Sequence, residues 1–204
     1  MINLIKVPNI LVREFNQMEW FDPKQVLVNL RFIELNLPAD LDERVRRLRT
    51  NQLKEWREAR FAALIAYGFG VKVVNAPTFV SKTEKMDFDF VMKWQSGSMD
   101  HYFPVQLKEL PPDDINSRVS LDDIYDKLER YVGHHDLSVV ICINRQTRFE
   151  FQPWNRPSNP RIKELWYLGC QSADQSTWFL YGSTLGRNPQ KFEFNYPDGE
   201  PKIP

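Results

Sequence analysis

Met86-Asp87-Phe88-Asp89-Phe90-Val91-Met92-Lys93-Trp94 and Tyr102-Phe103-Pro104-Val105-Gln106-Leu107-Lys108 are two apolar runs that alternate with period 2. Phe88, Phe90 and Met92 share one side of the first run, and Phe103, Val105 and Leu107 one side of the second. Each run therefore reads as a strand. Gln95-Ser96-Gly97-Ser98 between them is a turn, which predicts a hairpin. Asp87 and Asp89 fall on the opposite side of the first strand, Gln106 and Lys108 on the opposite side of the second. Paired, the strands bring two carboxylates, an amide and an ammonium together on one face of a sheet. Aspartate is disfavoured in strands, and two of them in alternate positions call for a nearby cation.

Around this hairpin the chain alternates helical and extended patterns. Val26 to Leu37, rich in Val, Leu, Phe and Ile, reads as a strand. From Leu41 to Tyr67, apolar residues recur mostly three or four apart, as in a helix that breaks near Thr50-Asn51. Gly68 and Gly70 are positioned to end it. Val71-Lys72-Val73-Val74 reads as a short strand. Pro111-Pro112 and a polar loop from Asp113 to Ser120 follow. Ser120 then caps a helix with Asp122 and Asp123 in its first turn, and Leu121, Ile124, Leu128, Tyr131 and Val132 form its apolar stripe. Leu137 to Ile143 is an unbroken apolar run, expected to be a central strand buried on both faces. Arg161–Leu168 reads as a short helix, Thr177–Gly182 as a strand, Lys191–Tyr196 as an edge strand, and Pro197–Pro204 as a loose tail.

The 204 residues suffice for a single domain, with a core over 51–143, an N-terminal extension over 1–50 and an aromatic-rich C-terminal extension over 144–204. The formal net charge is zero, so any contact with nucleic acid must come from a local patch. Arg44, Arg46, Arg47, Arg49, Lys54, Arg57 and Arg60 form such a cluster against few acids. It could meet a phosphate backbone, or be a solvated face with pairs such as Glu43–Arg47. Cys142 and Cys170 form no CxxC pair and read as free, buried thiols. Met1-Ile2-Asn3-Leu4-Ile5-Lys6 lacks the apolar core of a signal peptide and no window is long enough to span a membrane, so a cytoplasmic protein is expected. His134 and His135 read as complements to a helix C-terminus. Trp154, Trp166, Tyr167, Trp178 and Phe179 read as core rather than as a stacking surface for bases.

Over residues 51 to 143 the order helix, strand, strand, strand, helix, strand has aspartates opening the second strand and Gln106-Leu107-Lys108 near the end of the third. This resembles the PD-(D/E)XK nuclease superfamily, in its Gln-x-Lys variant, over a little under half the chain. The resemblance implies an α/β, restriction endonuclease-like αβββαβ core, its mixed central sheet flanked by helices and extended by both end regions. It also implies metal-dependent endonuclease activity on DNA phosphodiester bonds. The catalytic set would be Glu58, Asp89, Gln106 and Lys108, with Glu55 as understudy to Glu58. The Mg²⁺ or Mn²⁺ ligands would be Asp89, Gln106, the Leu107 carbonyl, Glu58 and Asp87. The chemistry suits these residue types. Mg²⁺ prefers oxygen ligands, activates a water and polarises a phosphate oxygen, while a lysine stabilises developing negative charge. Glutamine at the usual acidic position offers an amide oxygen without charge. A nuclease-like domain that only binds nucleic acid or serves in an assembly is therefore the alternative. DNA is the expected partner, with no membrane, and double-strand cleavage would favour a homodimer or a larger complex.

Overall fold

A computed structural model describes residues 9–46, 48–82, 88–132, 137–145, 158–184 and 188–202. The described elements form one α/β unit: a seven-stranded mixed sheet in the order β1-β2-β3-β4-β5-β6-β7, with helices on it. The strands are β1 (Thr78–Lys82), β2 (Phe90–Ser96), β3 (Met99–Leu110), β4 (Leu137–Ile143), β5 (Ile162–Cys170), β6 (Thr177–Thr184) and β7 (Gln190–Asn195). β1, β2 and β3 run as an antiparallel meander, β4 is parallel to β3, β5 is parallel to β4, and β6 and β7 return antiparallel. The helices are α1 (Asn9–Phe15), α2 (Pro23–Leu35), α3 (Glu43–Arg46), α4 (Lys54–Phe69), α5 (Asp113–Asn116) and α6 (Leu121–Glu129).

The β2–β3 hairpin forms as the alternation predicts, with Phe90 opposite Val105 and Ser96 opposite Met99. Gly97 turns the chain at φ 62°, a left-handed conformation natural to glycine. Phe88 departs from the expected alternation. It precedes β2 and joins Leu11, Phe15, Val91 and Tyr102 rather than the Phe90 cluster.

Two layers of helix cover the sheet. α4 brings Phe61, Leu64, Ile65 and Phe69 onto the face carrying Phe90, Met92, Phe103, Val105, Val140 and Trp166. α6 brings Ile124 and Leu128 onto the other face, against Leu110, Val139, Ile141, Leu165 and Tyr167. β4 is buried on both faces along nearly its whole length, as its unbroken apolar run predicts. Ser120 caps α6 in a reciprocal capping box with Asp123. The far end of the expected α6 stripe fails, because Val132 lies beyond the helix and is 91% exposed. Cys142 is buried, Cys170 is partly buried and both are free. Trp166, Tyr167 and Trp178 are core residues as expected.

Several expectations are corrected. The region 26–37 is helical, not extended. Asp22 caps α2 by accepting from the Lys24 N–H and Pro23 occupies its first turn, while Leu27, Val28 and Leu30 face inward. Apart from a bridge between Phe21 and Val80, the N-terminal region adds no strand among the described residues. Gly68 and Gly70 do not stop α4. The chain continues as a π-turn over Gly70–Val74, where a strand is expected, and ends at Asn75 in the left-handed region at φ 51°. The first strand is Thr78–Lys82 instead, tied to α4 where the Thr78 hydroxyl donates to the Ala66 carbonyl at 2.7 Å. Residues 161–168 belong to strand β5, not a helix. Parallel pairing with β4 buries Trp166 on one face and Tyr167 on the other, which overrides local helical spacing. A short helix, α5, interrupts the expected polar loop after Pro112. The tail is held rather than loose, at least to Lys202. Gln25 donates to the Glu200 carbonyl at 3.2 Å, and Asn29 exchanges hydrogen bonds with Lys202 at 2.8 and 3.0 Å.

Phe69 sits at the hub of the main core, 1% exposed and edge-on to Trp166 with ring centroids 4.6 Å apart. Phe69→Ala is expected to remove about 3–5 kcal/mol of unfolding free energy, the usual range for a buried aromatic truncation. Urea titration followed by tryptophan fluorescence measures it. A loss under about 1 kcal/mol would be at the low end of ordinary point mutations and would deny Phe69 this role.

Candidate functional site on the β2–β3 hairpin

The structure brings Asp89, Gln106 and Lys108 to one place. β2 proper begins at Phe90, so the Leu107 N–H, which points towards β2, meets the Asp89 side chain there. The Asp89 carboxylate accepts from the Leu107 N–H at 2.6 Å and from the Gln106 side-chain amide through the same oxygen. The Asp89 N–H in turn donates to the Val105 carbonyl at 2.9 Å, so the residue is anchored by backbone and side chain together. Gln106, Lys108 and Leu110 share one face of β3, the face that α6 covers further along. Lys108 is half-buried. Burial pushes its ammonium below the usual lysine range, the Asp89 carboxylate pulls it back up, and Lys127 on α6 lowers it further.

The remaining expected residues are arranged differently. Glu58 lies near the start of α4, on the opposite face, and pairs with Lys54 at 3.4 Å. Glu55 is exposed on the same helix. Asp87, Arg47, His134, His135 and Trp154 lie outside the described residues. Arg46, Arg49 and Arg57 line a cleft of about 1090 Å³ at the carboxyl ends of β3, β4 and β5, whereas Arg44 and Lys54 do not. Arg60 of the basic cluster lines it too, as do Arg31 and Arg145, which the sequence reading missed because they come from α2 and from just after β4. Glu109, the residue after Lys108, was missed too. It faces the other way, pairing with Arg49 at 2.6 Å and Arg57 at 3.5 Å. Strand alternation could have placed it on that face, but not beside those arginines.

By donor chemistry the hairpin suits a hard divalent cation: a carboxylate, a side-chain amide and the Leu107 carbonyl are all oxygen donors, and Mg²⁺ needs only one or two carboxylates with waters and substrate. Among the described residues no group of three or more His, Cys, Asp or Glu converges, so Asp89 would be the charged anchor of such an ion. The amide of Gln106 presents its NH₂ to Asp89, which aims its oxygen elsewhere. No described helix is long and apolar enough to cross a membrane. No known protein family, curated protein or solved structure matches the chain.

Proposed function

We propose that this protein is a metal-dependent endonuclease acting on DNA, built on a restriction endonuclease-like core. The observation that carries the reading is the meeting of Asp89, Gln106 and Lys108 where β2 begins against β3. The element order supports it: α4, an antiparallel β1–β2–β3 meander, α6, then β4 parallel to β3.

Asp89, Gln106 and the Leu107 carbonyl would hold the Mg²⁺ or Mn²⁺, with Asp87 as a further candidate ligand, while Glu58 on the opposite face pairs with Lys54 instead. The ion, when bound, supplies an activated water and charge relief at phosphate. The chain's own residues orient and neutralise. Asp89 is locked by the Leu107 N–H and the Val105 carbonyl, so its free oxygen points in a fixed direction. Lys108, with its proton affinity lowered by burial, holds a proton loosely beside the reacting phosphate and stabilises negative charge as it develops.

A second reading is a nuclease-like domain that binds nucleic acid or assembles with other chains without cutting. It is favoured by the Asp89–Gln106 hydrogen bond, which satisfies the carboxylate without any ion. Incubation with supercoiled plasmid and Mg²⁺ or Mn²⁺ separates the two. Nicking that EDTA abolishes and that Asp89→Asn reduces by at least about a hundredfold, the usual scale for removing one charge-stabilising group, is the expected result. Retention of plasmid in a gel shift without nicking would support the second reading. Cleavage unaffected by Asp89→Asn would move the site elsewhere.

A further inference from the structure

Outside the hairpin, the most organised chemistry in the molecule is the arginine-lined cleft. None of Asp89, Gln106 or Lys108 lines it. Four of its six arginines are held in two triads, while Arg145 pairs with Asp113 at 2.9 Å and Arg46 donates to the Pro38 carbonyl at 3.1 Å. Glu34 is shared by Arg31 at 3.7 Å and Arg60 at 2.5 Å, and Glu109 by Arg49 at 2.6 Å and Arg57 at 3.5 Å. Each triad has two guanidiniums on one carboxylate and keeps one net positive charge. Partners fix the guanidiniums further: Arg60 donates to Gln175 at 2.5 Å and Arg57 to the Leu48 carbonyl at 2.7 Å. Arg60 also carries a buried Nε–H with no hydrogen-bond partner. An unpaired buried donor is costly.

We infer that this cleft binds a free nucleoside polyphosphate, the phosphates between the two triads and the base against the apolar wall formed by Leu48, Phe61, Leu168 and Trp178. The volume of about 1090 Å³ lies just above the usual small-ligand range of roughly 300–1,000 Å³. Guanidinium forks match phosphate oxygens, and arginines already immobilised lose little entropy on binding. A groove for a nucleic-acid strand would instead offer open aromatic faces for stacking. Here Phe61 and Trp178 are only 9% and 7% exposed. The inference does not rest on the nuclease reading.

Calorimetric titration of the full chain with ATP, GTP, pyrophosphate and adenosine, beside a 5′-phosphorylated single-stranded oligonucleotide, tests it. The nucleotides should bind and raise the thermal midpoint, while adenosine does neither. Arg60→Gln and Arg49→Gln should each weaken nucleotide binding by roughly tenfold to a hundredfold, as loss of a charge-assisted hydrogen bond does. Lys108→Met should bind as the parent does, which separates failure here from failure of the hairpin site. Should either arginine variant unfold when its glutamate loses a partner, the wild-type contrast of ATP with adenosine decides. Absence of nucleotide binding at millimolar concentration would overturn the inference. So would binding of the oligonucleotide alone, or folded arginine variants that bind unchanged.

Discussion

Replacing Lys108 by methionine is expected to leave a folded protein whose metal-dependent plasmid cleavage falls by about a hundredfold to a thousandfold, the range for removing one preorganised electrostatic stabiliser. Methionine keeps the length and apolar stem of the lysine, so the face it shares with Gln106 and Leu110 is still filled. Stability should move the other way from activity. Burial lowers the folded-state proton affinity of Lys108, so at neutral pH the folded protein holds an ammonium less readily than the unfolded chain does. The unfolded chain then binds more protons between the lowered value and the ordinary one near 10.5, and wild-type stability rises with pH through that window. Lys108→Met removes this dependence and should melt at or above the wild-type temperature at pH 7. A destabilised, inactive variant would mean that Lys108 serves packing. Full activity with the methionine in place would remove Lys108 from the chemistry.

Glu164→Gln is expected to stabilise the protein by up to about 3 kcal/mol at pH 8 and to change little at pH 4. Glu164 is 3% exposed on β5, paired in register with Ser138 on β4. Its one described hydrogen bond is from the Trp166 indole N–H at 3.0 Å, and its other oxygen and the Ser138 hydroxyl both lack partners. Burial raises the carboxyl from 4.5 to about 7, with the indole bond opposing. The folded state therefore keeps its proton between about 4.5 and about 7 while the unfolded chain releases it, and stability falls as pH rises through that window. Glutamine mimics the protonated form at every pH. Thermal melts of both proteins from pH 4 to pH 9 should converge at the acid end and diverge above pH 7. Parallel curves would show that Glu164 does not carry this dependence.

The hairpin was legible because period-2 alternation, a Gly97 turn and the Asp89-to-Gln106 spacing all act within a short stretch of chain. The same holds for β4, whose unbroken apolar run allows no solvated face, and for α6, whose Ser120–Asp123 box is a local hydrogen-bond pattern. Segments whose state depends on distant partners were misread. Residues 161–168 are extended because β4 on one side and β6 on the other complete their ladders. Val71–Val74 looks like a strand, but α4 carries through Gly68 and Gly70 into it. Gly68 lies so close to Phe194 and Leu180 that a Cβ would meet them at 2.6 and 2.9 Å, so it serves packing rather than termination. Val26–Leu37 has β-type composition, yet Asp22 and Pro23 start a helix that the tail and Tyr196, donating to the Leu27 carbonyl at 2.9 Å, hold in place.

The candidate site divides in the same way. Which faces carry Asp89, Gln106 and Lys108 follows from side-chain alternation, a property of each strand alone. That Asp89 spends one oxygen on Gln106 and Leu107, that Glu58 turns to Lys54, and that Glu109 is shared by two arginines came only with the folded chain. So did the cleft, which gathers Arg31 from α2, Arg49 and Arg57 from around the start of α4, and Arg145 from just after β4. Periodicity reports what a segment buries; which charges share a cavity depends on how helices settle on the sheet, and no local pattern encodes that distance.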